Sequence, residues 1–344
     1  MTNKLRFPAE WETQDAVLLA WPNEWTDWAD NLDEVNQCYA NIARAIVDDE
    51  HLVVVTHDIE ETKAMMGDID FSRVRFFEIG INDTWARDFG PLTVIKNGTP
   101  VLLDFTFNAW GMKFAAGYDN LITCNLRDNG AFAVDVECHR DMVLEGGSVE
   151  SDGNGTIMTT ATCLLEPNRN PWMTREMIDN ELKRRFGAEK VLWIENGYLT
   201  GDDTDGHIDT IARFAPNNAI VYMGCDDEND EQYESLKLME DELRQATNAQ
   251  GEPYRLFTLP CPSPICEFDL PSCRMPATYA NFLIMNHQVL VPIYGQDCDQ
   301  QALEVIKEAF PGRKVVGIDC NALIKQHGSL HCVTMQLFAN TMKR

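Results

Sequence analysis

One unit recurs along this chain: two short apolar strands joined by a tight turn, an amphipathic helix, and one more strand. In "GSVESDGNGTIMTTATCLL" two strand runs flank an Asp-Gly-Asn-Gly turn. "TREMIDNELKRRFG" continues as a helix with Thr174 as N-cap and Gly187 as its stop, and "KVLWIE" closes the unit. The same order returns in "HIDTIARFAPNNAIVYM", "DEQYESLKLMEDELRQAT" and "YRLFTL", and again in "NFLIMNHQVLVPIY", "DQQALEVIKEAF" and "KVVGID". Earlier, "PLTVIKNGTPVLLDFTF" reads as a hairpin and "AFAVDVE" as a closing strand, with a weakly marked helix near "YDNLITCNL". A fifth unit exists only if the two ends of the chain meet. "CVTMQLF" then supplies one strand, "AVLLAWP" the next, "LDEVNQCYANIARAIVDD" the helix and "LVVVTH" the last strand. Five units of roughly 70 residues predict an α/β fold, a pseudo-symmetric ββαβ propeller in one domain spanning 1–344, its fifth unit closed by the N- and C-terminal segments. The alternative is an open α/β sheet.

Composition narrows the partners. A formal charge of -27 argues against nucleic acid, which needs a basic footprint, and fits attraction of a small cation. No run of 18 apolar residues marks a membrane span, and "MTNKLRFPAEWETQD" lacks the apolar stretch of a secretory leader, so a cytoplasmic protein is expected. Eleven scattered cysteines are then expected to be reduced and mostly buried.

The unit entrances carry the chemistry. Asp88 precedes the first hairpin in "NDTWARDFGP", Glu145 the second in "LEGGSVE", His207 and Asp209 open the third in "GDDTDGHIDT", and Cys332 opens the final strand in "QHGSLHCVTMQ". Taken singly, each has a structural reading: a turn carboxylate, a glycine loop, a hydrogen-bonded histidine, a packed thiol. In a pseudo-symmetric ring, equivalent entrances point to one end of the axis, so four units would deliver titratable groups to one place. A cysteine attacks at neutral pH when a neighbouring imidazolium lowers its pKa, and a histidine needs an orienting carboxylate, for which Glu145 is free. Asp88 and Asp209 exceed what that set requires and call for a cation. A planar guanidinium meets two carboxylates with paired charge-assisted hydrogen bonds.

With those residues in place, the sequence resembles the agmatine deiminase family of the guanidine-modifying (pentein) superfamily, related to bacterial-type peptidylarginine deiminases. The resemblance runs nearly end to end, through "PAEWETQDAVLLAWP", "WARDFGP", "EGG", "EPNRNP", "TDGHIDT", "PATYANFLIMN" and "HCVTMQ". It implies the five-unit propeller, Cys332 as nucleophile, His207 as general acid/base paired with Glu145, and Asp88 with Asp209 gripping the guanidinium. The implied reaction converts agmatine and water to N-carbamoylputrescine and ammonia through a covalent S-alkylthiouronium intermediate, with no metal or organic cofactor. One departure stands out: many relatives carry a glycine run before the His-Cys pair, whereas Gln326 and His327 stand here before Gly328.

The substrate tail is the open question. Trp85 and Trp110 are candidate walls for an aliphatic tail, with Trp110 leaning to a core role, and Arg87 faces away from its neighbour Asp88 as a structural residue. Rivals are a deiminase of free or peptidyl arginine, an amidinotransferase, and a non-catalytic guanidine-binding protein. Two metal sets also arise: His207, Asp209, His331 and Cys332, or Cys261, Cys266 and Cys273, although neither has the close paired spacing of structural zinc. A homodimer is common for such enzymes, and no stretch marks its interface.

Overall fold

The computed structural model describes residues 4–266 and 274–343. It resolves the strand runs into five separate sheets. In each, an antiparallel pair is followed by a helix and then by a strand parallel to the second member of the pair. The crossover helix makes the parallel pairing possible, because a tight turn can only reverse the chain.

The first sheet pairs Leu92–Lys96 with Thr99–Thr106 through a turn at Asn97 and Gly98, both at positive φ, as a two-residue hairpin turn requires. The helix Ile122–Asp128 leads to the parallel strand Val136–Val143. The second sheet joins Glu150–Ser151, Thr156–Thr160 and, after the helix Arg175–Phe186, Lys190–Ile194. Here Thr174 accepts a hydrogen bond from the Met177 N–H, and Gly187 ends the helix in the left-handed region. The third and fourth repeat the plan with Ala212–Ala215, Ala219–Met223, Tyr233–Gln245 and Arg255–Leu259, then Leu283–Ile284, Gln288–Ile293, Asp299–Ala309 and Lys314–Asp319.

The fifth sheet draws on both ends of the chain. Thr334–Phe338 lies antiparallel to Gln14–Ala20, and His51–Thr56 follows in parallel after the helix Leu32–Val47. That helix buries Val35, Cys38, Tyr39, Ile42, Ala43 and Ile46, the three- and four-residue spacing of one apolar face.

Three details differ from the sequence reading. His51–Thr56 is not the last strand of its sheet: the helix Ile59–Met66 leads to Val74–Glu78, a further parallel strand. The closing strand of the first sheet is not 131–137 but Val136–Val143, whose half-exposed "VECHRDMV" carries little apolar signal. Leu5–Arg6 also adds an edge to that sheet. No described helix is long and apolar enough to cross a membrane.

Candidate active site

Each sheet begins with a short bend, and the polar residues at those bends converge. Asp88 sits on the single helical turn Ala86–Phe89, Glu145 precedes the turn Gly146–Ser148, His207 and Asp209 belong to the turn at Ile208–Thr210, and Cys332 precedes Thr334–Phe338. All five are buried. The fourth sheet contributes at the same position a residue the sequence reading passed over, Asn281, just before Leu283–Ile284. Its Oδ1 accepts from the backbone N–H groups of His331 (2.9 Å) and Cys332 (3.2 Å) and lies 3.3 Å from the Cys332 sulfur. An amide does not titrate, so a search for titratable groups overlooked it, although "PATYANFLIMN" contained it.

His207 is held between two carboxylates. Its Nε2 lies 3.2 Å from Glu145 Oε2, and its Nδ1 lies 3.6 Å from Asp88 Oδ1 without a hydrogen bond to any group. Behind Glu145 stands Arg169, fully buried, whose Nε donates to both carboxylate oxygens at 3.0 and 2.7 Å. Arg169 also reaches Asp205 and the Thr204 carbonyl, tying Glu145 to the segment at the mouth of the site. This arginine lies in "EPNRNP", whose proline and asparagines read only as a loop. Burial favours the neutral form of Glu145, but Arg169 and the His207 contact outweigh it and hold the carboxyl below its ordinary range. Burial likewise opposes a charged His207, yet Asp88 and Glu145 raise it well above the ordinary imidazole value.

Asp88 accepts from the Gly147 N–H and from the Trp110 indole, both at 2.9 Å. Burial pushes its pKa up to about 6, with His207 opposing and Asp209 and Glu145 adding to the rise. Asp209 receives His331 Nδ1 on Oδ2 at 2.7 Å, while its buried Oδ1 has no hydrogen-bond partner among the described residues. Gly147 stands where these groups meet: a Cβ there would lie 2.6 Å from His207 Nδ1 and 2.9 Å from both Asp209 Oδ2 and Asp88 Oδ1. Only a residue without a side chain leaves this space open.

Cys332 differs from the sequence-based expectation of a thiol activated by an adjacent imidazolium. Among the described residues its sulfur has no hydrogen bond to His207; Asp209 Oδ2 lies 4.0 Å away. Burial, then Asp209 and Asp88, push the thiol well above its usual pKa.

A cleft of about 480 Å³ opens above this floor, lined by Cys332, Asp88, Trp85, Trp110, Phe114, Gly328 and, toward solvent, Asp27, Asp83 and Asp203. Trp110 is both a buried member of the core, as the sequence leaned, and a wall of the cleft that donates to Asp88. Gly328 lies flat on Trp85, its absent Cβ only 2.1 Å from the indole ring. Gln326 and His327 line the cleft as well. Arg87 turns away from it to Glu10 and Gln336.

The proposed four-ligand metal set does not gather, because His207 turns to Glu145 and His331 to Asp209. Among the described residues, donors do cluster as Glu145 with Cys163 and His207, Cys225 with Asp230 and Cys261, and Glu10 with Glu150 and His331. Each cluster already holds a guanidinium: Arg169, Arg274 and Arg213 respectively. Cys273, part of the other proposed set, lies outside the described residues.

Comparison with other proteins finds relatives along nearly the whole chain. Residues 6–337 match the Porphyromonas-type peptidyl-arginine deiminase family. A protein of Lactococcus lactis subsp. lactis, described as a candidate agmatine deiminase, is 34% identical over an alignment of 355 residues covering 96% of this chain and 94% of that one. The structure of a candidate arginine deiminase from Porphyromonas gingivalis superposes with a TM-score of 0.94 at 47% identity, over 99% of this chain and 100% of that one. A Cys-to-Ser variant of the C. jejuni agmatine deiminase with substrate bound gives 0.92 at 35%, over 99% and 98%.

Proposed function

Because the chain belongs to the Porphyromonas-type peptidyl-arginine deiminase family, we propose that it is a hydrolase of a small guanidine, agmatine, which it converts to N-carbamoylputrescine and ammonia. The guanidinium enters the cleft and is gripped by Asp88 and Asp209, whose Oδ2 lies 4.0 Å from the Cys332 sulfur. The guanidinium charge offsets the two carboxylates that raise the Cys332 pKa, so substrate binding itself lowers it. As substrate binds, the Cys332 thiol releases its proton to solvent and the thiolate adds to the guanidinium carbon. His207, protonated and backed by Glu145, gives its proton to the departing nitrogen, which leaves as ammonia. The S-alkylthiouronium that remains is attacked by water, which His207, now neutral, deprotonates. Collapse expels the thiolate, which takes up the proton of the new hydroxyl, and leaves the carbamoyl product. Trp85 and Trp110 flank the tail.

The observation that selects agmatine is the lining of the mouth. Asp27, Asp83 and Asp203 line the cleft, and among the described residues no Arg or Lys lines it to meet a carboxylate. Lys113 engages Asp203 at 3.4 Å, and Asp83 accepts from the Thr84 N–H and the Trp85 indole with its pKa raised by burial to about 7, leaving Asp27 to receive the tail ammonium. The P. gingivalis relative, at 47% identity, favours a second reading in which free or peptidyl arginine is deiminated to citrulline. In the first reading the chain is a single catalytic domain, its five sheets arranged as a propeller around the site. A cytoplasmic homodimer completes it, and light scattering of the purified protein tests the dimer.

Ammonia release from agmatine, arginine and an arginyl peptide, with Cys332→Ala as control, tests the assignment. Release from agmatine alone, abolished in Cys332→Ala while agmatine still binds, is expected. Preference for arginine or the peptide transfers the function to the second reading. Release only when an amine acceptor is added would make the protein a transferase.

A further inference from the structure

Beneath the site lies a buried polar network that the reaction does not touch. Glu10 receives Arg87 NH1 at 3.1 Å, Arg213 NH2 at 2.5 Å and the Gln336 amide at 2.9 Å. Arg213 NH2 also lies 2.9 Å from His331 Nε2, and its Nε pairs with Glu150. The network thus holds the chain neighbour of Asp88, which is Arg87, and the chain neighbour of Cys332, which is His331.

The tautomer of His331 follows from these partners. Arg213 has only donors to offer, so Nε2 accepts from it and the ring proton sits on Nδ1, directed at Asp209 Oδ2 at 2.7 Å. Glu10 Oε2, 3.1 Å from Nε2, accepts from the same Arg213 nitrogen, and Oε1, 3.0 Å from Nε2, accepts from Arg87. Burial, with Arg213 and Arg87, lowers the His331 pKa and keeps the ring uncharged.

We propose that His331, held from behind by Arg213 and Glu10, is a positioning residue that hydrogen-bonds Asp209 Oδ2, the oxygen nearest Cys332, and thereby fixes the carboxylate for the substrate guanidinium. This rests on the reading that Asp209 grips the guanidinium. A carboxylate can rotate about its Cα–Cβ–Cγ bonds, and among the described residues its nearest side-chain donor is His331 at 2.7 Å, with the Cys332 thiol at 4.0 Å. Among the described residues its Oδ1 has no hydrogen-bond partner. The other charged or titratable groups facing it are Cys332 at 4.0 Å, His207, Asp88, Arg213 and Arg87. Cys332 and Asp88 hold nothing in place, and the cations give it no fixed hydrogen bond. Burial alone raises a carboxyl pKa, and the His331 hydrogen bond is the largest opposing influence on Asp209.

The experiment compares His331→Leu, which removes the donor, with His331→Asn, whose amide N–H stands near the Nδ1 position. In His331→Leu, kcat/KM for agmatine is expected to fall about 10- to 100-fold, the worth of one charge-assisted hydrogen bond, mostly through KM. His331→Asn should recover most of that loss. Equal loss in the two variants at matched thermal stability, or a loss carried by kcat with KM unchanged, would overturn the proposal. If His331→Leu does not fold, 15N-histidine NMR of the unmodified protein decides: a proton on Nδ1 at neutral pH is required, and a bare Nδ1 sinks the idea. Should the unmodified protein deiminate no guanidine, the functional reading fails, while the NMR result still judges the contact.

Discussion

With Asp209 4.0 Å from its sulfur and Asp88 lining the same cleft, burial and these carboxylates hold the Cys332 thiol well above its usual pKa. Neutral iodoacetamide should therefore alkylate it slowly at pH 7 and faster as pH rises. A haloacetamidine, which carries its own positive charge, should outpace iodoacetamide by at least about 10-fold after correction against a free thiol. Equal corrected rates would mean that the carboxylates do not control the sulfur. Asp88 gives the acid limb: its pKa is raised to about 6, and only its ionised form attracts the guanidinium. As pH falls through about 6 the free enzyme takes up that proton, so kcat/KM for agmatine should fall there. A profile flat from pH 7 to 5 would remove Asp88 from substrate binding. The charged members of this site were legible in sequence because their residue types limit the chemistry. Asn281 and Arg169 were not, since an amide and a loop arginine acquire meaning only from what they touch: the Cys332 sulfur at 3.3 Å and the Glu145 carboxylate at 2.7 Å.

At the scale of elements, the site depends on bends that exclude a Cβ. Gly328→Ala would press a methyl group into the Trp85 ring from 2.1 Å, and the loop bearing Gln326 and His327 must retreat from the cleft. KM for agmatine should rise about 10-fold or more, matching an overpacking cost of about 1–3 kcal/mol, with little change in thermal stability because the loop borders open space. An unaltered KM would show that this loop does not shape the tail site. The departure from a glycine run is thus confined to Gln326 and His327, while the one glycine that contacts the aromatic wall is kept. The strongly periodic helices were readable because packing and propensity agree, as in Leu32–Val47. Ile59–Met66 and Val74–Glu78 escaped because eight and five residues are too few for a period to register, and Arg75 interrupts the apolar run. The cap of Asp58, which accepts from the N–H groups of Glu60 and Glu61, was the available signal.

Over the whole molecule, a charge of -27 surrounds a cleft edged by carboxylates, and agmatine near neutral pH carries two positive charges. Encounter should be electrostatically assisted. Raising salt from ~20 to ~500 mM should lower kcat/KM roughly 3- to 10-fold and leave kcat nearly unchanged, since screening acts on approach rather than on the bound complex. A salt-independent kcat/KM would reduce the net charge to a matter of solubility. The meeting of the chain's ends was legible from the leftover strand count, because an unpaired Gln14–Ala20 needs a partner and Thr334–Phe338 lacked one. That pairing also sets a timetable for synthesis. Gln14–Ala20 leaves the ribosome early, but its partner follows only on the order of 15–60 s later at ordinary elongation rates. Until then a strand buried along nearly its whole length in the finished protein waits unpaired beside His51–Thr56, in need of shielding from other nascent chains. Cys332 is delivered with the late strand. A ribosome that stops early therefore releases a chain that carries Asp88, Glu145, His207 and Asp209 but lacks Cys332.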